Sequence, residues 1–97
     1  MGTEININAG QMLCNFLSKA RKDVRLGSSH ICIFSSLVAL TIRQQEHPIS
    51  FYSKEVRDLA KLSNRTYHQC MQELHRYGYI KYIPSYNPAL GSMVWFE

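Results

Sequence analysis

Between His30 and Gln45 the chain places Ile31, Ile33, Phe34, Leu37, Val38, Leu40 and Ile42 in a single run. At about 100° per residue these side chains surround most of a helix circumference. A helix apolar nearly all round must be covered on more than one side. The chain has 97 residues with which to cover it, enough for one core and not two. One flank of this central helix is available to the helices that follow. The other suits the helix that precedes it, from the same chain or from a partner.

That preceding helix runs from Ala9 to about Arg25. Met12, Leu13, Phe16, Leu17, Ala20 and Val24 form one face, and Gln11, Asn15, Ser18, Lys19 and Lys22 form the other. Leu26-Gly27-Ser28-Ser29 breaks it and offers a fresh N-cap to the central helix. Past that helix, His47-Pro48 stops helical geometry. Ile49-Ser50-Phe51-Tyr52 alternates like a short strand. Ser53 is placed to cap a short third helix with Glu55 in its first turn and Val56, Leu59 and Ala60 facing inward. It ends near Lys61, and Leu62 leads directly into a fourth helix. Two helices joined so tightly cross steeply. Two β-rich runs follow, 79–83 and 93–96, separated by the turn-rich segment 84–92, which reads as a hairpin with a long tip. The fold class expected is mainly α with a small β-hairpin, an α+β domain.

The fourth helix, Ser63–Tyr77, has both ends marked, by Ser63 as cap and by Gly78 as left-handed stop. Tyr67, Cys70, Met71 and Leu74 share its inner side. Arg65, His68, Gln69, Gln72 and Arg76 share the outer side, and none of the five is acidic. Such donors suit phosphate oxygens and base edges. From Lys54 to Lys81, six basic residues (Lys54, Arg57, Lys61, Arg65, Arg76, Lys81) face three acids (Glu55, Asp58, Glu73).

The element order, with the run Glu55–Tyr67 and the pattern Leu74-His75-Arg76-Tyr77-Gly78-Tyr79-Ile80, resembles the winged helix-turn-helix superfamily of bacterial regulators and replication initiators. The resemblance covers residues 30–96. It implies a tail and amphipathic helix over 1–29, suited to dimerisation, and a winged domain over 30–97. It also implies base contact by Arg65, His68, Gln69 and Gln72, with Ser63 and Asn64 at the helix start. Lys54, Arg57, Lys61 and Arg76 are then near phosphates, and Lys81, Tyr86 and Asn87 belong to the wing. Two positions depart from the pattern. Lys61 stands where such turns usually have glycine, and the wing tip carries neither Lys nor Arg.

Other chemistries are poorly served. A net charge of +4 permits a polyanionic partner without requiring one. Cys14, Cys32 and Cys70 are odd in number and lie in apolar patterns, so they read as buried free thiols in a reducing cytoplasm. His68 and His75 are seven apart with no third ligand in the sequence, while His30 and His47 read as helix-end residues. No carboxylate pair, phosphate loop or nucleophile motif is present. No cofactor, no metal and no enzymatic activity are expected. The tyrosines fit core and hairpin positions, Tyr86 excepted. No apolar run reaches about 18 residues, Asn6 replaces the Ser or Thr of a myristoylation signal, and no signal peptide is legible, so a soluble cytoplasmic protein with no membrane partner is expected.

The sequence therefore points to a sequence-specific binder of double-stranded DNA, a transcriptional regulator acting as a homodimer. The competing readings are a protein-interaction module on the same fold and a replication or excision accessory protein of a mobile element.

Overall fold

The computed structural model describes residues 8–85 and 91–96. In chain order the elements are α1 (Ala9–Ala20), α2 (Ser28–Gln44), β1 (Ile49–Phe51), α3 (Ser53–Ala60), α4 (Asn64–Arg76), β2 (Ile80–Ile83) and β3 (Ser92–Phe96). The architecture is mainly helical with one small antiparallel sheet in the order β1-β3-β2. β3 lies centrally, with Ile49 and Tyr82 both registered on Val94 from opposite sides. The hairpin is present, and β1 extends it to three strands.

α2 is the pillar. Ile33, Leu37 and Leu40 have essentially no exposed surface. α1, α3, α4 and β1 all pack against it. The apolar face of α1 is occupied in cis: Phe16 stacks on Phe34 with ring centroids 3.8 Å apart, and Tyr79 meets Phe16 edge-on at 5.4 Å. Burial of this kind is the main favourable term, about 1.5–3 kcal/mol for each large side chain removed from water. One stripe of α2 stays uncovered, since Ile42 is 58% exposed.

Several boundaries and faces differ from the sequence expectation, each for a local reason. α1 stops at Ala20 rather than near Arg25, and Val24, assigned to its apolar face, is 99% exposed. Asp23 accounts for the difference. Its carboxylate accepts hydrogen bonds from the Arg25 backbone N–H (3.0 Å) and the Arg25 guanidinium (2.9 and 2.7 Å). It also accepts one from the Tyr79 hydroxyl (2.7 Å). The chain therefore turns at 21–27 instead of continuing as helix. Arg25 stacks on Tyr77, 4.0 Å from the ring centroid, which ties this turn to the end of α4.

Ser53 is not a cap, while the cap of α2 falls within the segment 26–29. α2 is capped by Gly27, whose N–H donates to Nδ1 of His30 at 2.9 Å. α3 is capped at Tyr52, whose N–H donates to Glu55 at 2.9 Å. In both, a side chain three residues inside the helix reaches back to the cap backbone. Leu59 is 46% exposed because the inner face of α3 narrows to Val56 and Ala60. Cys14 and Cys32 are exposed, and only Cys70 is buried, where loss of solvation and then Glu73 push its thiol up.

The end of α4 follows the expectation. Gly78 takes φ +86°, the Tyr79 N–H donates to the Leu74 carbonyl (2.9 Å) and the Gly78 N–H to that of His75 (3.1 Å). This is the Schellman termination, which launches β2 directly from α4. Gly91 opens β3 at φ +71°, and a Cβ there would lie 2.9 Å from the Phe51 carbonyl oxygen. No side chain fits between these strands without moving backbone. At the far end, Nε2 of His47 accepts the Phe96 N–H at 3.0 Å.

The Asp23 cluster carries a pH signature. Hydrogen bonds from Arg25 and then Tyr79 hold its carboxyl well below the ordinary 3.8. A depressed carboxyl stabilises the fold above its unfolded value and loses that contribution as pH falls toward the folded one. Asp23→Asn is therefore expected to lower stability by a constant amount at neutral pH. The gap from wild type should shrink below pH 3.8, as read by denaturant melts across pH.

Candidate nucleic-acid interface

α4 sits with Tyr67, Cys70, Met71 and Leu74 buried. Arg65, His68, Gln69, Gln72 and Arg76 are all exposed. The Ser63 hydroxyl accepts the Thr66 N–H at 3.2 Å, capping α4 as expected. Asn64 is the first residue of α4 and is exposed.

Helical phase divides this outer face in two. His68 and Gln72 border a cleft of about 800 Å³ between α4, the start of α3 and the β2–β3 hairpin. Arg65, Gln69 and Arg76 lie on the other flank, outside it. His75 belongs to the cleft too and was not among the expected site residues. Its spacing of seven from His68 and three from Gln72 was the available signal. The ring of His75 is fixed by the Tyr82 N–H, which donates to Nδ1 at 3.0 Å. Lys54 and Tyr82 also line the cleft, and among the described residues no carboxylate does.

The basic residues on α3 fare differently from one another. Lys54 is exposed but holds Asp58 at 2.9 Å, an exposed pair one helical turn apart that contributes little to stability and partly neutralises the cation. Arg57 is half-buried, and its Nε has no hydrogen-bond partner among the described residues. The hydroxyl of Tyr67 is likewise unpartnered there, near Tyr82 and Arg57, and burial followed by Tyr82 pushes it far above the usual phenol range. Lys61 is exposed and holds φ +57°, so a lysine occupies the left-handed turn between α3 and α4. The Leu62 N–H closes this turn on the Arg57 carbonyl at 3.1 Å. On the hairpin, Lys81 leans over its cross-strand partner Trp95, with Nζ 5.6 Å from the ring centroid. The wing positions Tyr86 and Asn87 lie outside the described residues.

One cluster has the composition of a metal site. His30, Cys70 and Glu73 bring ligand atoms within 4.8 Å of one another. The hydrogen bonds assign it another task. Nδ1 of His30 accepts the Gly27 N–H, so the ring proton sits on Nε2 and is donated to Glu73 at 2.8 Å. A metal at Nε2 requires the proton to move to Nδ1, where it meets the Gly27 N–H head-on. Ligation also needs a thiolate, and burial raises the Cys70 thiol. His30, 8% exposed, is thus a bridge from the start of α2 to α4. Excess Zn²⁺ should leave the melting temperature unchanged. His30→Ala should lower stability by about 1–3 kcal/mol, the range for orphaned buried partners.

Among known families, curated proteins and solved structures, none matches this chain.

Proposed function

We propose that the protein binds double-stranded DNA as a winged helix-turn-helix module and acts as a sequence-specific transcriptional regulator. In this reading α4 enters the major groove and α3 crosses the backbone. The observation that carries it is the outer face of α4. Five long or donor side chains without a carboxylate project from a helix that is capped at both ends and seated on α2 and the sheet. A major groove about 12 Å wide admits one helix, and such donors match its base edges. Arg65, Gln69 and Gln72 read bases, while Arg76, Lys61 and Arg57 lie toward phosphates. The flank carrying His68, Gln72 and His75 runs along the cleft, where one DNA strand passes between α4 and the hairpin.

Lys61 adds support of a different kind. A left-handed lysine costs about 1–2 kcal/mol relative to ordinary geometry. Glycine at such a turn relieves that strain but adds about 0.4–1 kcal/mol of unfolded-state entropy. The strain equals or exceeds the entropy term, so stability alone does not select lysine over glycine, and its exposed charge beside the start of α4 is the remaining asset.

A salt series against duplex DNA tests the reading. Phosphate neutralisation makes affinity fall steeply with ionic strength. Arg65→Ala should cost about 1–3 kcal/mol of specific binding and change stability by less than about 0.5 kcal/mol. Lys61→Gly should weaken binding to all sequences alike with stability within about 1 kcal/mol of wild type. No binding at low salt sinks the DNA reading and favours the protein-interaction module, which the ion-paired Lys54 and the half-buried Arg57 would suit. A binder with no promoter target instead favours a replication or excision role.

A further inference from the structure

The uncovered stripe of α2 has a definite pattern. Cys32, Ser35, Ala39 and Ile42 follow the alternating three- and four-residue spacing of a coiled-coil seam. Cys32, Ala39 and Ile42 are exposed, and Ser35 is half-buried. No charged residue lies on the helix between His30 and Arg43. Leu17 of α1 is 40% exposed and borders Arg21 and Lys22. It sits across α1 from Asn15 and Lys19, which border Gly78 and Tyr79 at the end of α4.

We infer that this stripe pairs with the α2 stripe of a second copy of the chain, antiparallel about a two-fold axis between Ser35 and Ala39. Three observations favour a second copy in that orientation. Each chain carries a net charge of +4, so two copies repel except where their surfaces are uncharged, and the stripe is such a surface. Small residues at the centre let two helix backbones approach closely, and a two-fold contact sets Ser35 against Ala39 and Cys32 against Ile42 in both halves. At the ends, α2 has no acidic residue in its first turn, and its N-cap, Gly27, has only the neutral His30 ring against its N–H. Glu46, exposed and without an ion-pair partner among the described residues, follows its far end. Antiparallel pairing brings each Glu46 to the positive end of the other helix.

The stripe faces away from α4, because Ala39 lies half a turn around α2 from His30, the residue that reaches Glu73. The two α4 faces of the pair therefore point in opposite directions. Where the DNA reading holds, such a pair links two duplexes rather than spanning one palindrome.

Sedimentation of the intact protein tests the pairing without DNA. Twice the 11.2 kDa chain mass is expected at high concentration, with Ala39→Glu monomeric at an unchanged melting temperature. In a Cys14→Ser background, Ile42→Cys should oxidise to a covalent dimer through Cys32 of the other copy, while native Ile42 should not. Two Cys32 in this register are separated by about 15 Å of helix rise, beyond disulfide reach. A monomer at all concentrations overturns the pairing. Protection of Cys32 from a thiol reagent in that monomer assigns the stripe to residues 1–7 of the same chain. A Cys32–Cys32 link in the Cys14→Ser protein overturns the antiparallel register. Bridging is read separately: a bead-bound duplex should retain a second, labelled duplex through wild type but not through Ala39→Glu. A dimer that binds DNA yet retains no second duplex overturns bridging alone, and a dimer that binds no DNA overturns the DNA reading alone.

Discussion

Three helices and a strand converge on α2, and the contact that most shapes the result is the one it makes with α4. Leu74, Met71 and Tyr67 lie fully buried in the core that they share with Leu37 and Ile33. Apolar contact alone resists neither sliding nor rotation very specifically. The polar bridge from Gly27 through the His30 ring to Glu73 adds direction, because each of its hydrogen bonds has a distance and an angle to satisfy. A helix positioned both by close packing and by directed bonds presents the same outer face each time. That constancy is what a reader of base edges needs.

The second end of α4 is held as firmly. The turn at Gly78 commits the chain to β2, the Tyr82 N–H is bound by His75, and Arg25 lies on Tyr77. The Asp23 cluster brings the α1–α2 connection into this arrangement through Tyr79. A segment that looks like a mere linker is therefore part of the support for the proposed recognition helix. Both ends of α4 are fixed by partners from other elements, and its middle is fixed by the core.

The faces of α4 were legible in the sequence because one helix carries its own phase, and Ser63 and Gly78 mark its limits locally. The apolar wrap of α2 was legible for the same reason. What was not legible depended on residues distant in the chain. The early stop of α1 rests on Asp23 finding Tyr79, fifty-six residues later. His30 read as a helix-end residue because nothing in its neighbourhood announces Glu73. Cys14 and Cys32 sit in apolar patterns yet face outward, since a pattern shows which residues share a face but not whether that face is covered. Leu59 misled in the same way. The cleft that gathers His68, Gln72 and His75 needed the hairpin to be folded back beside α4 before its second wall existed.

Three of the four histidines described above share a feature: His30, His47 and His75 each accept a backbone N–H through a ring nitrogen. They act at the first turn of α2, at the outer end of β3 and along the outer edge of β2. At each place a main-chain donor lies beyond the ladder or the helix that would have satisfied it. The imidazole works there as a movable carbonyl, delivered by a side chain to a position the backbone itself does not reach. For this chain, then, histidine content is a measure of how many ends and edges the fold has to seal. It also narrows the search for external chemistry to His68, the one imidazole left facing outward with neither nitrogen in a hydrogen bond among the described residues.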